Sequence, residues 1–293
     1  MLKKWGIILV CGMFILSACT QNQSPKKEPM EPVENRLKVK GLPKIDHIVI
    51  VVEENHSHQE IQDNPSAPYM NSLMNQGANL TNYYAIEHPS QPNYLDLFSG
   101  SNQGVTNDEV PKVKFSTANL GSELIDRKYS FGGYSEDLPS IGFNGPLAGD
   151  GGYARKHNPW VNFTNVPKEV NQPLTNFPKD FNQLATVSFV IPNLQNDMHD
   201  GTIQEADQWL KKHMDAYVQW AKTHNSLLIV TWDEDDNSQN NKIPTFFVGP
   251  MVKTGQFTKD YNHFNLLRTI EDIYGLSHAG KSQAAEAINV VWD

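Results

Sequence analysis

The sequence predicts an α/β protein with a mainly parallel central sheet and helices on both faces. Five short apolar runs rich in β-branched residues recur along the chain, at 45–52, 80–86, 185–191, 227–232 and 245–248. Near-continuous runs of this kind mark strands buried on both faces. Helical periodicity supplies the second observation. It is clearest over 203–223, where Ala206, Trp209, Leu210, Met214, Tyr217 and Ala221 repeat at three-to-four spacing, and it returns over 264–274. Strands alternating with helices give a parallel sheet covered on both sides, in which ligands bind beyond the carboxyl ends of the strands.

That rule directs attention to the residues just after each run. Glu53, Glu54, Asn55 and His56 follow the first, and Glu87, His88, Pro89 and Ser90 the second. Asn193, Asn196, Asp197, His199 and Asp200 follow the third, and Asp233, Glu234, Asp235 and Asp236 the fourth. Asp and Asn are common turn formers. Carboxylates gathered with His and Ser at one sheet edge would repel one another unless a cation sits among them, so a metal site is the expected reason for the pattern.

The amino terminus has a different character. Lys3 and Lys4 precede an apolar run from Trp5 to Ala18, the layout of a secretory signal. The run is shorter than the roughly 20 residues that a membrane span needs. It ends Leu16-Ser17-Ala18-Cys19, which resembles the lipobox of bacterial lipoproteins; the resemblance implies a signal peptide over 1–18 and lipidation of Cys19. The expected location is exported, lipid-anchored to the outer face of the bacterial cell membrane. Residues 19–40 are polar, charged and proline-bearing and read as a flexible tether. Residues 41–293 suit one catalytic domain. The only other cysteine, Cys11, falls inside the signal, so the mature chain has neither thiol catalysis nor a cysteine-ligated zinc site open to it. A net charge of -9 argues against a nucleic-acid partner.

Ser90 is the candidate nucleophile. It follows an apolar run and precedes Pro92-Asn93-Tyr94-Leu95-Asp96-Leu97-Phe98, with Gly100 as a natural stop, which predicts a short helix starting at the serine. A helix N-terminus offers free N–H groups suited to a phosphate, although a serine there also serves as a plain cap. No Gly-x-Ser-x-Gly elbow is present to suggest activation by histidine alone. Coordination to a divalent metal would lower the hydroxyl pKa and align it with phosphorus.

Five segments together carry a family resemblance: Val51-Val52-Glu53-Glu54-Asn55-His56-Ser57, His88-Pro89-Ser90-Gln91-Pro92-Asn93-Tyr94, Tyr153-Ala154-Arg155-Lys156-His157-Asn158-Pro159, Thr231-Trp232-Asp233-Glu234 and Tyr261-Asn262-His263-Phe264. They resemble the phosphoesterase branch of the alkaline phosphatase superfamily, which holds bacterial acid phosphatases and phospholipases C. The resemblance implies an alkaline phosphatase-like fold. It makes Glu54, Asn55, Asp233 and Glu234 metal ligands and Ser90 both ligand and nucleophile. It also implies that Asn93 donates to a phosphoryl oxygen, that His263 is a late active-site histidine, and that Asp197 and His199 lie where two-metal relatives place further ligands.

This chain has Asp233-Glu234 where two-zinc members carry Asp-His, and Asn55 where they carry glycine. Oxygen-rich ligation suits Mg, Ca or Mn, whereas the histidines would accept Zn, so the metal's identity and number stay open. Lys156 and His157 follow a glycine-rich stretch, 145–152, and read as donors to the phosphoryl oxygens or the leaving group, or else as a solvated basic pair. His88 could donate to substrate or hold the turn. Two decoys fall away. Gly275 to Ser282 spells a P-loop but follows a helix. The acidic run from Asp233 has Ser238 and Pro244 where a calcium loop needs glycine and glutamate.

The expected function is metal-dependent hydrolysis of phosphate monoesters, acid phosphatase-like, through a phosphoserine at Ser90. A phosphodiesterase or phospholipase C acting on a phospholipid headgroup is the near alternative. A non-catalytic lipoprotein that binds a phosphorylated ligand is the alternative of another class. The sequence does not fix an oligomeric state.

Overall fold

His47–Glu53, whose side chains are buried from Ile48 onward, forms the central strand β1 of an eight-stranded sheet in the computed structural model, which describes residues 41–293 together with Leu2. The signal, lipobox, Cys19 and tether expected over 1–40 lie outside the described residues, Leu2 apart. The other strands are β2 (Ala78–Leu80), β3 (Tyr83–Tyr84), β4 (Phe131–Ser135), β5 (Leu147–Ala148), β6 (Tyr153–Ala154) and β7 (Asn171–Pro173). They continue as β8 (Val187–Ile191), β9 (Ser226–Trp232), β10 (Thr245–Val248), β11 (Gly255–Phe257) and β12 (Tyr261–Asn262). The sheet order is β11-β2-β10-β9-β1-β8-β4-β7. Among the described strands of this sheet β10 alone runs against its neighbours; β1 pairs in parallel with both β8 and β9. The expected α/β class with a mainly parallel sheet is what the chain forms.

The helices are α1 (His58–Ile61), α2 (Pro68–Gln76), α3 (Ser90–Ser99), α4 (Leu120–Asp126), α5 (Ile203–Ala221) and α6 (His263–Tyr274). They fall into two groups, α2 with α5 and α3 with α4 and α6, as covering both faces of a sheet requires. Thr202 starts α5 with a reciprocal cap, its Oγ1 accepting the Glu205 N–H while the Glu205 carboxylate accepts the Thr202 N–H. Gly100 ends α3 in the left-handed region at φ 65, and a Cβ there would lie 2.1 Å from the Ala279 carbonyl oxygen. Only glycine meets both demands. No helix among the described residues is long and apolar enough to cross a membrane.

Two departures from the sequence reading shape the site. The run expected as one strand over 80–86 is split: β2 belongs to the main sheet, whereas β3 pairs with β12. The Asn82 side chain turns the chain between them by donating to the Thr258 carbonyl and to Asp260. The second departure is β4, Phe-Gly-Gly-Tyr-Ser, which carries no β-branched signal. Gly133 leaves room for the Trp160 indole, which a Cβ there would approach to 2.3 Å, and a Cβ at Gly132 would come within 2.8 Å of the Tyr134 ring.

The carboxyl ends of the central strands are stitched to one another. The Asp233 N–H donates to the Glu53 carbonyl at 3.1 Å, and the Glu54 N–H donates to the Asp197 carbonyl at 2.9 Å. Residues just beyond β1, β8 and β9 are thereby held side by side at one edge of the sheet.

Candidate active site

Ser90 opens α3, with Pro89 as the N-cap residue. Its hydroxyl sits 3.0 Å from Glu54 Oε2 and 3.0 Å from Glu234 Oε1. A hydroxyl has one proton and can donate to only one of them. The second contact sets oxygen lone pairs against each other, which is stable only with a shared proton or a cation between them. The serine is buried, as are Glu54 and Glu234.

Around this pair the structure gathers most of the residues expected from sequence. The other Glu54 oxygen, Oε1, accepts the Tyr94 hydroxyl at 2.7 Å and lies 2.9 Å from His157 Nε2. Across the ring, His157 Nδ1 is 3.4 Å from Asp197 Oδ2. Asp233 Oδ1 accepts the N–H groups of Asn55 and Glu234, at 3.0 and 2.7 Å. Asn55 takes φ 30 to bring its amide there. His88 Nδ1 contacts Glu234 Oε2, and its Nε2 is 3.5 Å from Asp235 Oδ1.

Charge is concentrated here. Burial alone would raise the Glu54 carboxyl, but the His157 ring beside it prevails and lowers its pKa to about 2. Burial would likewise lower His157, yet Glu54 and Asp197 hold it up at about 9. Burial raises Asp197 to about 6. It also raises Asp233, with Glu54 and Glu234 adding to the effect, and Glu234 itself. One imidazolium leaves this set of buried acids under-compensated.

The donor set fits a divalent cation. Asp233 Oδ2, Asp197 Oδ2 and both ring nitrogens of His157 are buried without a hydrogen-bond partner, although the nitrogens lie close to carboxylate oxygens. Orphaned atoms of this kind are costly unless a ligand meets them. Glu54, His157 and Asp197 offer one ligand atom each within 4.8 Å of one another, an oxygen and nitrogen set of the type that holds divalent metals.

Three of the residues expected at the site are engaged by other groups of the chain. Asn93 is not free to meet a phosphoryl oxygen: its Oδ1 accepts the N–H groups of Ile86 and Glu87, and its Nδ2 donates to the carbonyls of Glu87 and Pro89. It braces the loop that leads into Ser90. His263 is buried with both nitrogens engaged, Nε2 at 3.0 Å from the Asp233 carbonyl and Nδ1 at 3.3 Å from the Tyr83 hydroxyl. Burial pushes its pKa down to about 4, so the neutral ring holds the Asp233 backbone and presents no lone pair to a metal. His199, its ring centroid 6.3 Å from that of His157, has both nitrogens engaged, Nδ1 by Asp200 and Nε2 by Lys156. His157, expected only as a charge donor, takes the place among the acids expected of His199.

Tyr94 ends the sequence motif around Ser90, which by itself gives it no role. It lies four residues beyond Ser90, on the same face of α3, a spacing that could have flagged it. Asp108, which accepts from Lys156 Nζ at 3.0 Å, carried no sequence signal because it sits in an irregular loop.

Solved structures share this fold. A protein in the alkaline phosphatase superfamily from Vibrio parahaemolyticus superimposes with a TM-score of 0.59 at 12% identity, covering 81% of this chain and 68% of its own. The lipoteichoic acid synthase LtaP from Listeria monocytogenes gives 0.58 at 10% identity, covering 89% and 80%. The fold is that of the alkaline phosphatase superfamily.

Sequence relatives narrow the assignment. The Phosphoesterase family model matches residues 60–277. Phosphatidylinositol-3-phosphatase of Mycobacterium tuberculosis is 50% identical over 258 residues, covering 87% of this chain and 86% of the relative. The phosphate-repressible acid phosphatase of Penicillium chrysogenum is 33% identical over 272 residues, covering 86% of this chain and 64% of the relative. The chain belongs to the Phosphoesterase family and is a phosphoric ester hydrolase.

Proposed function

We propose that the protein hydrolyses phosphate monoesters in two steps through a covalent phosphoserine at Ser90, with a divalent cation at the site. The observation that carries this reading is the placement of the Ser90 hydroxyl 3.0 Å from two carboxylates at the N-terminus of a helix. The acid phosphatase and phosphatidylinositol-3-phosphatase relatives support it, since both are named for removing phosphate from an ester.

Glu54, Asn55, Ser90, Asp233 and Glu234 would hold a cation on the serine side, and Glu54, His157 and Asp197 are placed to hold one on the other. When bound, such an ion lowers the hydroxyl pKa and takes up charge on the phosphoryl oxygens. The chain's own residues supply the rest. The Ser90 oxygen forms a bond to phosphorus while the bond to the leaving-group oxygen breaks, and the serine proton passes to Glu234, 3.0 Å away, which gives it to the departing alcohol oxygen. Water then attacks phosphorus and gives up a proton to Glu234, the bond between phosphorus and the Ser90 oxygen breaks, Glu234 returns the proton to Ser90, and inorganic phosphate is released. His88, in contact with Glu234, is placed to exchange protons with that carboxylate. Lys156 supplies positive charge to the negatively charged phosphoryl oxygens of the bound ester.

A monoester carried on a phosphoinositide headgroup is the substrate class suggested by the M. tuberculosis relative. It would suit a domain anchored through Cys19 beside a membrane. Ser90→Ala should abolish turnover of p-nitrophenyl phosphate with the fold intact, and chelation should remove activity that added divalent metal restores. Full activity in Ser90→Ala would overturn the proposal. Activity insensitive to chelation would overturn its metal dependence, and a folded, metal-loaded protein with no hydrolysis would favour a non-catalytic phosphate binder.

A further inference from the structure

Gln91, the residue after the nucleophile, is buried and holds a loop from another part of the chain. Its Nε2 donates to the carbonyls of Asn107 at 2.8 Å and Glu109 at 2.7 Å. Its backbone N–H donates to Oδ1 of the residue between them, Asp108, at 3.0 Å. The other oxygen of that carboxylate, Oδ2, accepts from Lys156 Nζ at 3.0 Å. Gln91 thus grips both sides of Asp108, and Asp108 grips Lys156.

The arrangement does more than an exposed ion pair. A surface lysine keeps its rotamer freedom, and pairing it gains little. The Lys156 side chain is only 16% exposed, and its ammonium also donates to His199 Nε2 at 3.2 Å. An ammonium has three donors. Two are engaged among the described residues, which leaves one for a substrate oxygen. Because Asp108 is referenced to the first turn of α3, the place of the ammonium is fixed relative to Ser90 itself.

A fixed positive charge beside a phosphoryl site discriminates by charge. A monoester at neutral pH carries up to two negative charges on its phosphoryl group and a diester one, so the ammonium gains more from the monoester. We propose that Asp108 is a positioning residue that, anchored by Gln91, locks Lys156, the neighbour in sequence of the His157 that reaches Glu54, and so sets a preference for phosphate monoesters over diesters. The inference rests on the proposed roles of Ser90 and Lys156.

The test compares p-nitrophenyl phosphate with bis-p-nitrophenyl phosphate across wild type, Asp108→Asn, Asp108→Glu, Lys156→Met and the Asp108→Asn/Lys156→Met double variant. The expected result for Asp108→Asn is a KM for the monoester raised about tenfold, with kcat changed less than about threefold and diester kcat/KM nearly unchanged. Asp108→Glu should recover part of the loss, and the double variant should be no worse than Lys156→Met alone. Equal loss on both esters, or losses that multiply in the double variant, would overturn the role of Asp108 while leaving the proposed function standing. A Lys156→Met variant with wild-type monoester kinetics would overturn both the inference and the role of Lys156, and Ser90→Ala would then report separately on the nucleophile.

Discussion

Tyr94 and His157 stack with ring centroids 4.9 Å apart and planes 13° from parallel, and both reach the same oxygen, Glu54 Oε1. The tyrosine arrives from α3 and the histidine from the turn after β6, so the carboxylate beside Ser90 is held from two directions. A phenol and an imidazole on one oxygen leave the other, Oε2, to face the serine.

Tyr94→Phe keeps the stack and removes the donor. The expected cost in stability is about 1.5 kcal/mol, the low end for one hydrogen bond to a charged group, with a larger proportional loss in kcat because Glu54 is freed to rotate away from Ser90. Chemical denaturation and steady-state kinetics on the same preparation check it. A loss of stability with unchanged kcat would mean that Tyr94 only fills space.

The His157–Glu54 pair makes the metal-free protein sensitive to pH. His157 is raised from 6.5 to about 9 in the folded state, so its stabilising contribution is complete below 6.5 and is lost as pH rises through about 9. Glu54 is lowered from 4.5 to about 2, so its contribution is present above 4.5 and is lost as pH falls toward 2. Thermal midpoints measured in chelator should fall between pH 6.5 and 9, and His157→Gln should flatten that limb. An unchanged alkaline limb in the variant would assign the titration to another group.

Asn93→Ala separates a brace from a substrate contact. Its carboxamide joins backbone groups of Ile86, Glu87 and Pro89, and leaving these unpaired should cost about 3 kcal/mol of stability. Activity should fall in step with the disordering of the loop, and Asn93→Asp should also be destabilised because a carboxylate cannot donate to the two carbonyls. A stable Asn93→Ala protein with a large loss in kcat would restore the phosphoryl-donor role that the sequence suggested.

Gly133→Ala probes the packing behind the site. A methyl group there meets the Trp160 indole at 2.3 Å, an overlap that should cost about 1–3 kcal/mol and distort β4. Denaturant midpoints decide it, and a midpoint equal to wild type would show that Trp160 can move without cost.

The sequence carried the positions of the chemistry better than their directions. Glu54, Asp197, Asp233 and Glu234 were legible because apolar strands end beside them, and a parallel sheet brings such ends together whatever the loops do. Spacing says nothing of where a side chain points. His199 is two residues from Asp197 yet turns to Asp200 and Lys156, whereas His157, from a distant turn, enters between Glu54 and Asp197. For Asn93 the sequence does not separate two roles, because a buried carboxamide next to a nucleophile serves equally well to hold a loop or a ligand. The loop anchor at Asp108 was invisible because its partners, Gln91 and Lys156, are remote in sequence and irregular segments have no period.

The covalent step at Ser90 is open to a direct measurement. The enzyme is mixed with a phosphate monoester, quenched in acid within the first turnover, digested and mapped by mass spectrometry. The proposed mechanism predicts a phosphate adduct on the peptide that contains Ser90, absent from Ser90→Ala, together with loss of turnover in that variant. An unmodified Ser90 peptide during active turnover, or a Ser90→Ala enzyme that still turns over at the wild-type rate, would contradict it.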